Sequence, residues 1–132
     1  MVRTEAVRRV GLLDERFFMY FEETDWCLRI KEEGGKVMYV PDGSVVHYGG
    51  AADAHYGEKK ILYYHASLLR FYGKHHSVPA GMLLRVILIV RSLFRIVAWS
   101  VLSLFRPSLA SIAGSSVRGY AKSLVLLFRK AQ

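Results

Sequence analysis

Hydrophobic and polar positions divide the chain into segments of different period. Thr4, followed by Glu5-Ala-Val-Arg-Arg-Val and then Gly11, predicts a short helix with a polar cap and a glycine stop. Phe17-Phe-Met-Tyr-Phe is a dense apolar run that must be buried. It delivers the chain into Glu22-Glu-Thr-Asp-Trp-Cys-Leu-Arg-Ile-Lys-Glu-Glu, predicted as a helix of about three turns that stops at Gly34. Lys36-Val-Met-Tyr-Val and Ser44-Val-Val-His-Tyr are rich in β-branched and aromatic residues around the turn signal Pro41-Asp-Gly, and predict two short strands. On this reading the first half is α/β.

From Tyr56 the period lengthens. Ile61, Leu62, Leu68, Leu69 and Tyr72 recur at helical spacing and predict an amphipathic helix ending near Gly73-Lys-His-His. Ser77 and Pro79 then open a second helix, with Ser77 as cap and Pro79 in the first turn, where its missing N–H does no harm. Residues 82–105 are almost all apolar apart from Arg85, Arg91 and Arg95, and Pro107 ends that run. The small residues of 108–116 predict a loop or weak helix before a basic amphipathic end at 117–130. Three parts follow: 1–55, 56–76 as an amphipathic helix completing or flanking it, and a basic apolar region at 77–132.

Composition excludes several classes. With 132 residues, 52% hydrophobic content and 3 prolines, the chain is neither disordered nor collagen-like. Its one cysteine, Cys27, rules out an intrachain disulfide framework. No apolar stretch follows Met1, so no signal peptide is expected. The net charge of +8 is divided unevenly, since all 11 acids lie in residues 1–58, whereas residues 59–132 carry 12 Lys and Arg and no acid. Chemistry is therefore expected in the first half and attachment to an anionic surface in the second. At ~1.5 Å per residue, 82–105 is long enough to span a bilayer, but placing Arg91 and Arg95 at its centre costs roughly +2.5 to +3.5 kcal/mol each. On a helical projection the arginines at 85, 91, 95 and 106 share about one third of the circumference. This favours a helix lying in, or re-entering, a membrane interface over the alternatives of a true span and of burial against the rest of a larger protein. Nucleic acid is not the expected partner, because the cations alternate with aliphatic rather than aromatic residues.

The candidate chemistry is carried by Glu22, Glu23, Asp25 and His47. A carboxylate beside a buried aromatic run suits general-base work. Acids in the first turn of a helix are also ordinary partners of its dipole, and composition leaves both readings open. The other histidines (His55, His65, His75 and His76) lack ligand spacing and are read as interfacial or surface residues.

The order of these elements adds a further clue. Gly11-Leu-Leu-Asp14-Glu15-Arg-Phe17-Phe18-Met-Tyr20-Phe21-Glu22-Glu23-Thr-Asp25-Trp-Cys-Leu28-Arg29, then Tyr39-Val-Pro41, Val45-Val-His47 and the tail Ser67-Leu-Leu-Arg-Phe-Tyr-Gly-Lys-His, resembles the C-terminal part of inverting family-two glycosyltransferases. Within that family it is most similar to the bacterial rhamnosyltransferase-like group. The resemblance implies a GT-A-type α/β domain, here its C-terminal portion, followed by membrane-associated helices. It implies Glu22, or alternatively Glu23, as the base on the acceptor hydroxyl, and Asp25 and Arg29 as helix-anchoring or acceptor-orienting residues. His47 is implied as a ligand of a divalent metal (Mn or Mg).

The implied partners are a nucleotide-sugar donor, a lipid-linked or polysaccharide acceptor and an anionic membrane surface. The implied location is the cytoplasmic face of the bacterial inner membrane, with peripheral or monotopic attachment. The family's Asp-x-Asp motif does not occur, so a fragment is expected, whose nucleotide-binding half a partner chain could supply. The competing expectation is a non-catalytic basic membrane-surface protein whose acids only cap a helix.

Overall fold

The computed structural model describes residues 1–41, 43–47 and 58–128. Among them the regular elements are α1 (Thr4–Val10), α2 (Glu22–Glu32), α3 (Lys59–His75), α4 (Val78–Phe105) and α5 (Ala110–Phe128), with a 3₁₀ turn at Pro107–Leu109. The expected α/β architecture is overturned, because the described residues contain helices and no strand. Residues 36–40 and 44–47 carry no regular structure, and Val37, Met38, Tyr39, Val40, Val45 and Val46 are exposed. High β-propensity records a fit to a pleated, half-buried surface, and a strand exists only where a neighbour completes its hydrogen-bond ladder. Among the described residues these two runs have no such neighbour.

The helices begin and end close to their sequence signals, with three local differences. Arg3, not Thr4, precedes the first turn of α1. Gly34, at φ +76°, follows α2 as its predicted stop, whereas Gly73 lies inside α3. Residues 110–116 are helical from the start of α5. Their small side chains weaken helix propensity, but this part of the chain needs close packing more than propensity. A Cβ on Gly119 would lie 2.8 Å from the Glu58 carbonyl oxygen and 2.8 Å from Ile61 Cδ1, so α5 crosses the start of α3 at a distance that only glycine permits.

α3 is the middle layer. One side, through Leu68, Leu69 and Tyr72, packs on a core of Leu84 and Leu88 from α4 and Leu127 from α5. The other side, through Ser67, Phe71, Lys74 and His75, meets the aromatic run and α2. Two ion pairs fasten the start of α3 to α5: Glu58 accepts from Arg118 at 3.0 Å and from Lys122. Arg85 Nη1 donates to the Leu127 carbonyl at 2.8 Å, satisfying an orphan acceptor at the end of α5.

Outside this core α4 is open. It is long and apolar enough to cross a membrane, yet only Leu84, Leu88 and Ser92 along it are buried. The accessible surface is 10110 Å². A compact monomer of this mass would expose roughly 7,000 Å².

Between α3 and α5 the interior is polar. His65 and Ser123 are both buried and hydrogen-bond to one another, against the sequence reading of His65 as a surface residue. Burial, with the positive charge of Arg91 adding to it, pushes His65 down to about 4. The unfolded chain takes up this proton near the ordinary value of 6.5, the folded chain only near 4, so the unfolded state binds more protons between them. Stability should therefore fall by roughly 3 kcal/mol as pH drops through that window. Urea titrations followed by circular dichroism at successive pH values measure the loss, and His65→Gln should flatten the slope.

Candidate functional site

The acidic segment is built on a strained turn. Tyr20 and Phe21, neither of them glycine, both lie in the left-handed region, at φ 68° and 69°. Each such residue costs on the order of 1–2 kcal/mol and persists only where its surroundings hold it. Ser67 Oγ donates to the Met19 carbonyl at 2.7 Å. The Phe21 ring sits 5.5 Å from Phe71 and 5.6 Å from Tyr64, and Tyr20 meets Tyr64 edge-on at 5.7 Å. Aromatic contacts with α3 therefore fix the direction in which α2 leaves the turn.

Asp25, one turn into α2, is fully buried. Its carboxylate accepts from Arg29 Nε at 2.9 Å and His75 Nε2 at 2.7 Å, and pairs with Lys74 Nζ at 2.6 Å. Burial alone would raise its pKa, but the hydrogen bonds from Lys74, His75 and Arg29 together outweigh it and hold the group below the usual carboxylate range. Lys74 Nζ also reaches Asp14 at 2.8 Å, and Asp14 is clamped by Arg16, so hydrogen bonds from Arg16 and then Lys74 hold Asp14 far below its ordinary value. Arg29 has its remaining donors on the carbonyls of Val10 and of Leu12, the latter at 2.8 Å, and Trp26 Nε1 donates to the Gly11 carbonyl at 2.9 Å. Asp25 and Arg29 are thus placed where they tie α1, α2 and α3 together.

Glu22 and Glu23 are neighbours in a different situation. Glu23 is exposed. Glu22 is half-buried, and its Oε2 is shielded from solvent with no hydrogen-bond partner among the described residues. A buried carboxylate oxygen left unpaired is costly, and such atoms in folded chains call for an explanation. His47 is exposed, and no group of three or more His, Cys, Asp and Glu able to hold a metal occurs among the described residues. An apolar cleft of about 800 Å³ lined by Arg3, Cys27, Ile30 and Val40 does not include Glu22 or Asp25.

Sequence reasoning missed two participants, Lys74 and His75. Their signal is the spacing of Ser67, Phe71, Lys74 and His75, which places all four on one side of α3.

No family model matches the chain, and no solved structure matches it. Curated proteins do. It is 32% identical over 96 residues to an N-acetylglucosaminyl-diphospho-decaprenol L-rhamnosyltransferase of Mycobacterium tuberculosis, covering 70% of this chain and 31% of that protein. It is 40% identical over 47 residues to the dTDP-rhamnosyl transferase RfbF of Shigella flexneri, covering 36% of this chain and 16% of the relative. It is 31% identical over 71 residues to rhamnosyltransferase WbbL of Escherichia coli, covering 54% and 27% respectively. The chain therefore spans less than a third of the length of these relatives, and over that stretch it is glycosyltransferase-like, similar to rhamnosyltransferases.

Asp25→Asn should cost roughly 3 kcal/mol, because Lys74 and His75 lose the charge they share. Urea unfolding monitored by Trp26 fluorescence reads the loss, and Glu23→Gln, at an exposed position, should leave the midpoint unchanged.

Proposed function

We propose that this chain supplies the acceptor-activating carboxylate of a rhamnosyltransferase, with Glu22 as the general base. The observation that carries the reading is the shielded, unpartnered Oε2 of Glu22. A carboxylate serving only as a helix cap would spend its oxygens on first-turn N–H groups. This oxygen accepts none among the described residues, so it is not spent on capping. The strained turn before it and the Asp25 cluster behind it hold the base on a rigid element, as general-base catalysis requires.

The relatives' names suggest the substrate classes: a dTDP-linked rhamnose as donor and an N-acetylglucosaminyl diphosphate on a polyprenol as acceptor. In the step we write, Glu22 takes the proton of the acceptor hydroxyl while that oxygen attacks the anomeric carbon. The bond from that carbon to the diphosphate breaks as the glycosidic bond forms, configuration inverts, and the nucleoside diphosphate leaves. Asp25 and Arg29 act as positioning residues. The reading places the reaction at the cytoplasmic face of the bacterial inner membrane, with the nucleotide bound by protein beyond the matched stretch.

The test is transfer of labelled rhamnose to the lipid-linked acceptor, assayed in membranes of cells producing the chain in its native context. Glu22→Gln should lower the rate by about 10²- to 10⁴-fold with helicity unchanged, while Glu23→Gln leaves transfer nearly intact. Undiminished transfer by Glu22→Gln would overturn the assignment in favour of a carboxylate that only supports the fold.

A further inference from the structure

The outward side of α4 is the largest feature that the site leaves unexplained. Leu83, Val86, Val90, Phe94, Val97 and Val101 are all exposed and fall within about 80° of one another on the helix circumference. The opposite sector holds the buried Leu84, Leu88 and Ser92 that face α3 and α5. The arginines belong to that same inner sector: Arg85 is engaged with the Leu127 carbonyl, and the exposed Arg91 and Arg95 lie about 100° and about 140° from the middle of the stripe, with Arg106 just past the end of the helix. α4 therefore carries its apolar stripe on one side and its cations on the other, with Arg91 nearest the boundary between them. A continuous exposed apolar stripe of this length marks an interaction surface rather than ordinary solvent-facing side chains.

Charge decides what covers it. From residue 59 to the end of the chain there are 12 Lys and Arg and no acid, so every formal side-chain charge on α3, α4 and α5 is positive. A spanning helix would carry Arg91 and Arg95 into the hydrocarbon, where each is strongly disfavoured. A helix lying flat sinks its apolar face about 5–10 Å while its shoulders remain among the headgroups. α5, packed alongside α4 and joined to it by the tight Pro107–Leu109 turn, lies beside it in a hairpin rather than leaving it to cross alone.

We propose that α4 lies flat in the interface of an anionic lipid bilayer, with the Leu83–Val101 stripe against the acyl chains and the long side chains of Arg91 and Arg95 folding back along the helix to lipid phosphates. The recognised chemistry is a negatively charged membrane surface over exposed hydrocarbon. The inference needs no part of the sugar-transfer reading, since it is read by lipid binding with no donor or acceptor present.

The full chain is floated with vesicles of phosphatidylcholine alone and of phosphatidylcholine with phosphatidylglycerol, at low and high salt. Binding should be at least about tenfold stronger to the anionic vesicles and should fall steeply with salt. The double variant Val90→Glu, Phe94→Glu should lose flotation while keeping its helical circular dichroism, since both positions are exposed. Arg91→Gln with Arg95→Gln should lose only the preference for anionic lipid. A fluorophore on Val90→Cys in a Cys27→Ser background should be quenched by shallow lipid labels. Three results would each overturn the proposal: quenching from the bilayer midplane with resistance to carbonate extraction, which means a span; no flotation by a chain that self-associates through this stripe, which means a second copy covers it; and equal binding to neutral and anionic vesicles.

Discussion

The buried charge of Asp25 is the constraint on which the acidic half of the molecule depends. A carboxylate with no solvent exposure is tolerable only because Arg29, Lys74 and His75 close around it. Each of those partners belongs to something larger. Arg29 draws in the end of α1 through the Val10 and Leu12 carbonyls, and Lys74 gathers Asp14 and the turn behind it. Apolar burial in this region is thin: Phe17 and Ile30 are its fully buried hydrophobic side chains among the described residues. Placement of α2 relative to α3, and with it the position of Glu22, follows from satisfying one anion.

How far this could be read from the chain varies with the range of the interactions involved. Helix limits were legible because their signals are local: Gly34 beyond α2, Ser77 and Pro79 at the start of α4, Pro107 after it. The strands were misread because Val37, Tyr39, Val45 and Val46 satisfy a β-pattern that has force only beside a partner strand. The small residues of 108–116 read as a loop or weak helix since propensity counts against them, and the helix from Ala110 is the second of these, because the close approach at Gly119 rewards small side chains. The sequence presents His65 and His75 as interfacial or surface residues, because their partners, Ser123 and Asp25, are 58 and 50 residues away. The candidate acids were visible as a cluster. Their division into an anchoring Asp25, an exposed Glu23 and a shielded Glu22 depends on which side of α2 faces α3, and no local pattern encodes that.

The arginine sector of α4 shows how one pattern can serve two packings. The same third of the circumference that keeps cations off the apolar face also receives Leu68, Leu69 and Tyr72 from α3. Arg85 turns its charge to use by closing the end of α5. An amphipathic projection alone says that charge and hydrocarbon are segregated. It does not say which of the two sectors the rest of the protein covers, and here the covered one is the charged one.

Because α3 is shared, the two halves are held to it by forces of different kind. On the α4–α5 side an aliphatic contact centred on Leu84, Leu88 and Leu127 adjoins the buried His65–Ser123 pair and the ion pairs of Glu58. On the α2 side the contact is ionic and aromatic, centred on Asp25, Lys74 and Phe71. Salt weakens the ionic side more than the aliphatic core, acid reaches both sides through His65 and the paired carboxylates, and urea acts on both. Because the Leu84–Leu88–Leu127 core has no counterpart on the α2 side, added salt should loosen α1 and α2 before the helical hairpin releases α3.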